Sequence, residues 1–143
     1  MNKIKIGWSE VSIVPEGRTL DLVGQFYERI SSEVETPIAV TGMAMESGDD
    51  CCIFVACDLT STSYNLLEDI RARLPEDFPK DKLIISAIHS HTTMGYARRS
   101  DMFAATLGNN LEGLKPEGVE YESLVHYDSP DIIRGEEARE YLI

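Results

Sequence analysis

His89 and His91 are two of only three histidines in the chain, and they stand two residues apart where an apolar run gives way to polar residues. The stretch from Leu83 to Arg99 reads LIISAIHSHTTMGYARR. On an extended backbone, side chains at i and i+2 point the same way, so both imidazoles could address one site. Neutral imidazole is the commonest protein ligand for zinc, and paired histidines at a strand end make half of a metal site. A catalytic zinc takes three protein ligands and keeps a position for water, whose pKa falls to about 7. A third ligand must come from elsewhere. His126 is the remaining histidine, and Asp58 is the best-placed carboxylate. Each group also has a plain structural role open to it. A histidine pair at a strand end can be hydrogen-bonded with no metal, His126 stands alone among alternating residues, and Asp58 can cap the helix that follows it. Ser86, Ser90, Thr92 and Thr93 could orient ligands from behind or only cap the loop. Arg98 and Arg99 could receive an anionic substrate or make ion pairs.

The elements that would position these groups follow from the patterning. Lys3 to Val14 alternates apolar and polar residues up to Pro15 and predicts a first strand, with a kink at Gly7. Glu16 to Glu35 keeps no sustained period and reads as a long loop, with one turn of helix near Phe26–Ile30. Thr36 to Glu46 predicts a second strand. Ser47-Gly48-Asp49-Asp50 supplies turn chemistry, and Cys51 to Leu59 is a continuous apolar run. The run reads as the second strand of a hairpin, central in its sheet and buried on both faces. Thr60 to Ser63 is a cluster of helix-capping residues. Leu66, Leu67, Ile70 and Leu74 then keep helical spacing up to Pro75. Lys82 to Ile88 predicts another strand. Strand, helix and strand within about forty residues form a βαβ unit with parallel strands. Asp58 and His89 then both lie at the carboxyl ends of adjacent parallel strands, where open α/β sheets bind ligands. After Tyr96 the pattern gives a short helix at Met102–Leu107, a strand at Tyr121–Tyr127, and an amphipathic helix from Gly135 with an acidic first turn. The expectation is one α/β domain over residues 1–143, with a mixed sheet.

Composition narrows the partners. The 143 residues carry a formal charge of −12, with 43% hydrophobic and 27% charged residues, as an ordinary globular chain does. Nucleic acid is excluded as a partner, because phosphate binding needs a basic face. No apolar run approaches the ~18 residues needed to span a bilayer, so the chain is not membrane-spanning. The N-terminus lacks the apolar core of a signal peptide, which reads as cytoplasmic. Cys51, Cys52 and Cys57 agree with that reading. They fall in one predicted strand, where neighbours cannot meet disulfide geometry, and they read as buried reduced thiols rather than metal ligands.

Three blocks taken together carry a family resemblance. Gly7 to Pro15 ends in Val11-Ser12-Ile13-Val14-Pro15, then FVACDL ends in Asp58-Leu59, then comes Ser86-Ala87-Ile88-His89-Ser90-His91. In this order they resemble the N-terminal part of the neutral/alkaline, non-lysosomal ceramidases and their bacterial relatives. The family carries a D-I-T-P-like motif at the first block, a strand ending in Asp-Leu at the second, and S-A-T-H-T-H-S-G-P at the third. The resemblance implies a zinc-dependent amidohydrolase that cleaves an N-acyl bond, acting on an amide-containing small molecule or lipid-like substrate. It implies His89 as a zinc ligand and His91 as the catalytic neighbour beside the metal. Thr92-Thr93-Met94 stands where ceramidases carry Ser-Gly-Pro. The family's other ligands (a second histidine, a glutamate and a tyrosine) come from later in a much longer chain, and His126 follows His89 too soon to match that histidine.

The resemblance therefore implies that the 143 residues are an N-terminal fragment of a ceramidase-like hydrolase, inactive alone. Two other readings stay open at this stage. One is a non-catalytic α/β domain whose histidines are vestigial or bind metal weakly. The other is a different small metallohydrolase that completes its site with Asp58 or His126 across the interface of a homo-oligomer.

Overall fold

The computed structural model describes residues 3–23, 29–31, 33–96 and 129–143. They fall into two compact units. The first comprises Met1–Val14, Thr36–Ser90 and Ile143, and the second comprises Pro15–Glu35 and His91–Leu142. Among the described residues, no helix is long and apolar enough to cross a membrane.

The first unit is the βαβ unit joined to a hairpin. Its strands are β1 (Lys5–Ser12), β4 (Ala39–Ser47), β5 (Asp50–Cys57) and β6 (Leu83–Ala87), in the spatial order β1-β4-β5-β6. The first three are antiparallel, while β5 and β6 run parallel, so the sheet is mixed and the class is α/β. The hairpin closes where Ser47 pairs with Asp50. Gly48 takes φ 64° at the first position of that two-residue loop, a conformation only glycine adopts cheaply, as a type II′ turn requires. The helix α1 (Tyr64–Arg73) starts where the Ser63 hydroxyl accepts the Leu66 N–H at 3.1 Å, and it stops at Leu74, ahead of Pro75. Arg71 ties the helix to the next strand. Its Nε donates to the Lys80 carbonyl at 3.0 Å and its Nη2 to the Leu83 carbonyl at 3.3 Å.

The register corrects two expectations. The β1–β4 ladder passes Gly7 without a break, because Gly7 simply pairs with Ala44 in an unshifted register. More consequentially, β5 is central but not buried on both faces. Alternate residues diverge, with Cys57 buried and Phe54 38% exposed, so a continuous apolar run here serves a strand whose Phe54 face is uncovered. Cys51 and Cys52 are half-buried, and only Cys57 is buried. Burial, and then the nearby Asp58 charge, pushes the Cys57 thiol up to about 11. At pH 8 about one molecule in a thousand then carries the thiolate that alkylating agents need. In the native protein, iodoacetamide at pH 8 is expected to label Cys51 and Cys52 well before Cys57, and peptide mass mapping would show it. Equal labelling of all three without denaturant would contradict this environment.

The second unit departs further from the sequence reading. The segment read as a loop supplies β2 (Thr19–Leu22) and β3 (Arg29–Ser31), so Arg29 and Ile30 are strand rather than helix. Strand β2 pairs antiparallel with β3 and parallel with β7 (Ile132–Ile133), joining residues more than a hundred positions apart. Met94 bridges to Leu22 beside them, and Gly95 N–H donates to the Asp21 carbonyl at 2.9 Å. The expected terminal helix is present as α2 (Gly135–Leu142). Its Glu137 receives Arg18 in a bidentate pair at 2.6 and 2.9 Å, which holds the Glu137 carboxyl below its usual range. Among the described residues, Leu20, Met94, Tyr96, Ile132, Ile133 and Ala138 form the buried hydrophobic set of this unit. The predicted helix at Met102–Leu107, the predicted strand at Tyr121–Tyr127, and Arg98, Arg99 and His126 lie outside the described residues.

Candidate functional site

Strands β5 and β6 end together, with Cys57 opposite Ala87, and the chain beyond each strand is stitched to the other. The Ile88 N–H donates to the Cys57 carbonyl, and the N–H groups of His89 and Ser90 both donate to the Leu59 carbonyl, each at 3.1 Å. The Thr60 hydroxyl donates to the Ser90 carbonyl at 2.5 Å. Leu59, with a side chain 1% exposed, anchors this clamp from below. Asp58 and His89 do therefore stand just past the carboxyl ends of adjacent parallel strands.

His89 is the most constrained member. Its backbone takes φ 69°, and it is the only non-glycine residue with positive φ among those described. This left-handed conformation costs about 1–2 kcal/mol for a side chain with a Cβ, so the clamp must hold it in place. The ring Nδ1 lies 2.6 Å from the Thr60 carbonyl oxygen. A carbonyl can only accept, so Nδ1 carries the proton, and a neutral ring then presents the Nε2 lone pair. The ring is exposed. A backbone carbonyl holding Nδ1–H is how a ligating histidine is commonly oriented and made more basic.

The left-handed residue also changes the argument from spacing. Strand β6 stops at Ala87, so His89 to His91 is not an extended run, and the i, i+2 rule does not govern where the two rings point. His91 opens the second compact unit. It is half-buried, and its carbonyl accepts a hydrogen bond from Arg29 Nη2. Thr93 and Met94 follow it as fully buried residues, with the Thr93 carbonyl accepting from Val23 N–H at 3.0 Å. In place of the Ser-Gly-Pro of ceramidases, Thr92-Thr93-Met94 thus leads straight into contact with β2.

Asp58 does not cap α1, a role Ser63 fills. Its Oδ2 accepts the Ala39 N–H at 2.9 Å while its own N–H donates to the Ala39 carbonyl at 2.9 Å. The carboxylate locks the start of β4 to the end of β5. Spacing pointed to the histidines but missed Thr60, whose carbonyl and hydroxyl together hold His89 and Ser90. The legible signal was the Asp58-Leu59-Thr60 sequence directly after an apolar strand.

Among the described residues, no three His, Cys, Asp or Glu side chains come together as a group able to hold a metal.

No protein-family model matches the chain, and no curated protein matches it in sequence. Among solved structures, it is similar to the neutral ceramidase of Pseudomonas aeruginosa, with a TM-score of 0.58 at 15% identity. A ceramidase solved in complex with C2 matches equally, again with a TM-score of 0.58 at 15% identity. Each match covers 80% of this chain and 20% of the ceramidase, so the chain spans about a fifth of the length of those enzymes. Over that portion the chain has a ceramidase-like fold.

Proposed function

We propose that the chain carries part of a zinc-dependent amidohydrolase site acting on an N-acyl amide of a lipid-like or other small molecule. His89 is the zinc ligand through Nε2. His91 is the neighbouring acid–base group, passing a proton from the attacking water to the leaving nitrogen as the C–N bond breaks. The observation that carries this reading is the fixed tautomer of His89, with Nδ1–H on the Thr60 carbonyl at the carboxyl end of a parallel strand. The ceramidase-like fold supports it from a second side. Among the described residues, no group of three His, Cys, Asp or Glu side chains completes a zinc shell.

The test is zinc affinity measured by competition with a chromophoric chelator, alongside hydrolysis of a fluorogenic N-acyl amide. His89→Ala is expected to weaken zinc binding about tenfold or more, a loss of at least about 1.4 kcal/mol. His91→Ala should leave the affinity nearly unchanged and reduce any turnover. Equal zinc binding by the wild type and His89→Ala would remove the reading.

A further inference from the structure

Cross-strand register places one apolar row on a single face of the first unit's sheet. Trp8 pairs with Met43, Met43 with Phe54, and Phe54 with Ile84, so the row crosses all four strands. Directly paired residues project to the same side of a sheet. The exposures along the row are 80% for Trp8, 38% for Met43, 38% for Phe54 and 51% for Ile84. Two residues along, Ile6, Met45 and Cys52 form the next row on that face. On the other side Glu10, Thr41, Ala56 and Ser86 form a third row, in which Thr41 donates to Glu10 at 3.3 Å. The opposite face holds the buried Leu83 and Cys57 and, at its β1 edge, Val11, which is 60% exposed.

We propose that this face is the interface of a homodimer, in which a second copy of the chain packs its own Trp8–Met43–Phe54–Ile84 row face to face across a two-fold axis. The proposal is independent of the zinc chemistry above. Three features favour a second copy as the occupant. The first is composition. Aromatic residues and methionine are enriched at interface cores and charged residues are depleted there. These three rows hold one charged residue, Glu10, in a chain that is 27% charged. The second is area. Strands β1, β4 and β5 are about 26–30 Å long and β6 about 17 Å, so at a spacing of about 4.8 Å they present a flat projection of about 475 Å². Two such faces come to about 950 Å², and side-chain relief carries them past the ~1,000 Å² that a specific interface needs. The third is self-complementarity. The central Trp8–Met43–Phe54–Ile84 row is uncharged, so the face can meet its own copy with no like charges opposed at its centre, as a two-fold interface requires.

The chain's charge gives the interface a signature. Two copies at −12 each repel through their remaining surface, while the contact itself is apolar. Salt shortens the screening length to about 10 Å at 0.1 M, so dimerisation should strengthen as salt is added. An interface held by ion pairs would weaken.

Sedimentation equilibrium of the 143-residue chain tests this, with far-UV circular dichroism confirming that each variant folds. The wild type is expected to dimerise with a Kd of about micromolar order, tighter at 0.5 M than at 0.05 M salt. Trp8 is the only tryptophan in the chain, so its emission should shift to the blue as concentration rises through the Kd. Trp8→Ser is expected to raise the Kd about tenfold to a hundredfold. Met43→Ser and Phe54→Ser, on the two inner strands, should do so by about tenfold, whereas Tyr64→Ser, an exposed aromatic on α1, should not. A wild type that stays monomeric at about 100 µM in high salt overturns the proposal. If that monomer binds phosphatidylcholine vesicles, the face is a lipid-contact surface instead. An effect of Trp8→Ser without one from either inner-strand variant also overturns it, because it would mean edge-to-edge pairing through β1.

Discussion

Leu59→Ala is expected to destabilise the protein by about 2–5 kcal/mol, measured by urea denaturation followed by far-UV circular dichroism. Leu59 is 1% exposed and among the largest fully buried side chains described. Truncation removes apolar contact and leaves a cavity where the β5 end turns toward α1. The backbone adds a second consequence, because the Leu59 carbonyl holds the N–H groups of both His89 and Ser90. A shift of that carbonyl loosens the clamp that keeps His89 in its left-handed conformation. Zinc affinity at His89 should therefore fall along with stability. Leu59→Met, which conserves volume, should cost under about 1.5 kcal/mol and spare the affinity. A loss below about 1 kcal/mol for the alanine variant would mean that the site does not rest on this side chain.

The β5–α1–β6 unit was legible because each of its parts carries a local signal. The apolar run, the Ser63 cap three residues before Leu66, and the Pro75 stop all act within a few positions of the structure they specify. Strands β2 and β7 were illegible for the opposite reason. Thr19–Leu22 and Ile132–Ile133 are too short to show a period, and their order comes from pairing across more than a hundred residues. The run Cys51–Leu59 shows a third case. Its composition specifies a strand but cannot say which face is covered, so Phe54 looked as buried as Cys57.

The site divides in the same way. His89 could be found from its type and position, and the structure adds a reason for its orientation that no spacing contains. Its partner is a backbone carbonyl twenty-nine residues earlier, on Thr60, which any residue type could supply. The left-handed backbone of His89 is likewise set by tertiary hydrogen bonds, and it removes the alternation that made His89 and His91 look alike. The case for the site passes from a pair of rings to one well-oriented ring and the loop that holds it.

Asp58 separates a structural role from a ligand role, and its two substitutions should answer differently. Asp58→Ala leaves the Ala39 N–H, half-buried at the start of β4, without its acceptor, and is expected to cost about 1–3 kcal/mol. Asp58→Asn keeps an amide oxygen of nearly the same reach. It trades a charge-assisted bond for a neutral one of roughly half the strength, so about 1 kcal/mol or less should be lost. Zinc affinity provides the second readout. A clamp acts only by holding β4 to β5, so Asp58→Asn should bind zinc as the wild type does. A carboxylate ligand would lose its charge in the same variant, and affinity would fall about tenfold or more while stability hardly moved. The Ala39 N–H on Oδ2 favours the clamp, and wild-type zinc affinity in a stably folded Asp58→Asn is the result that would establish it.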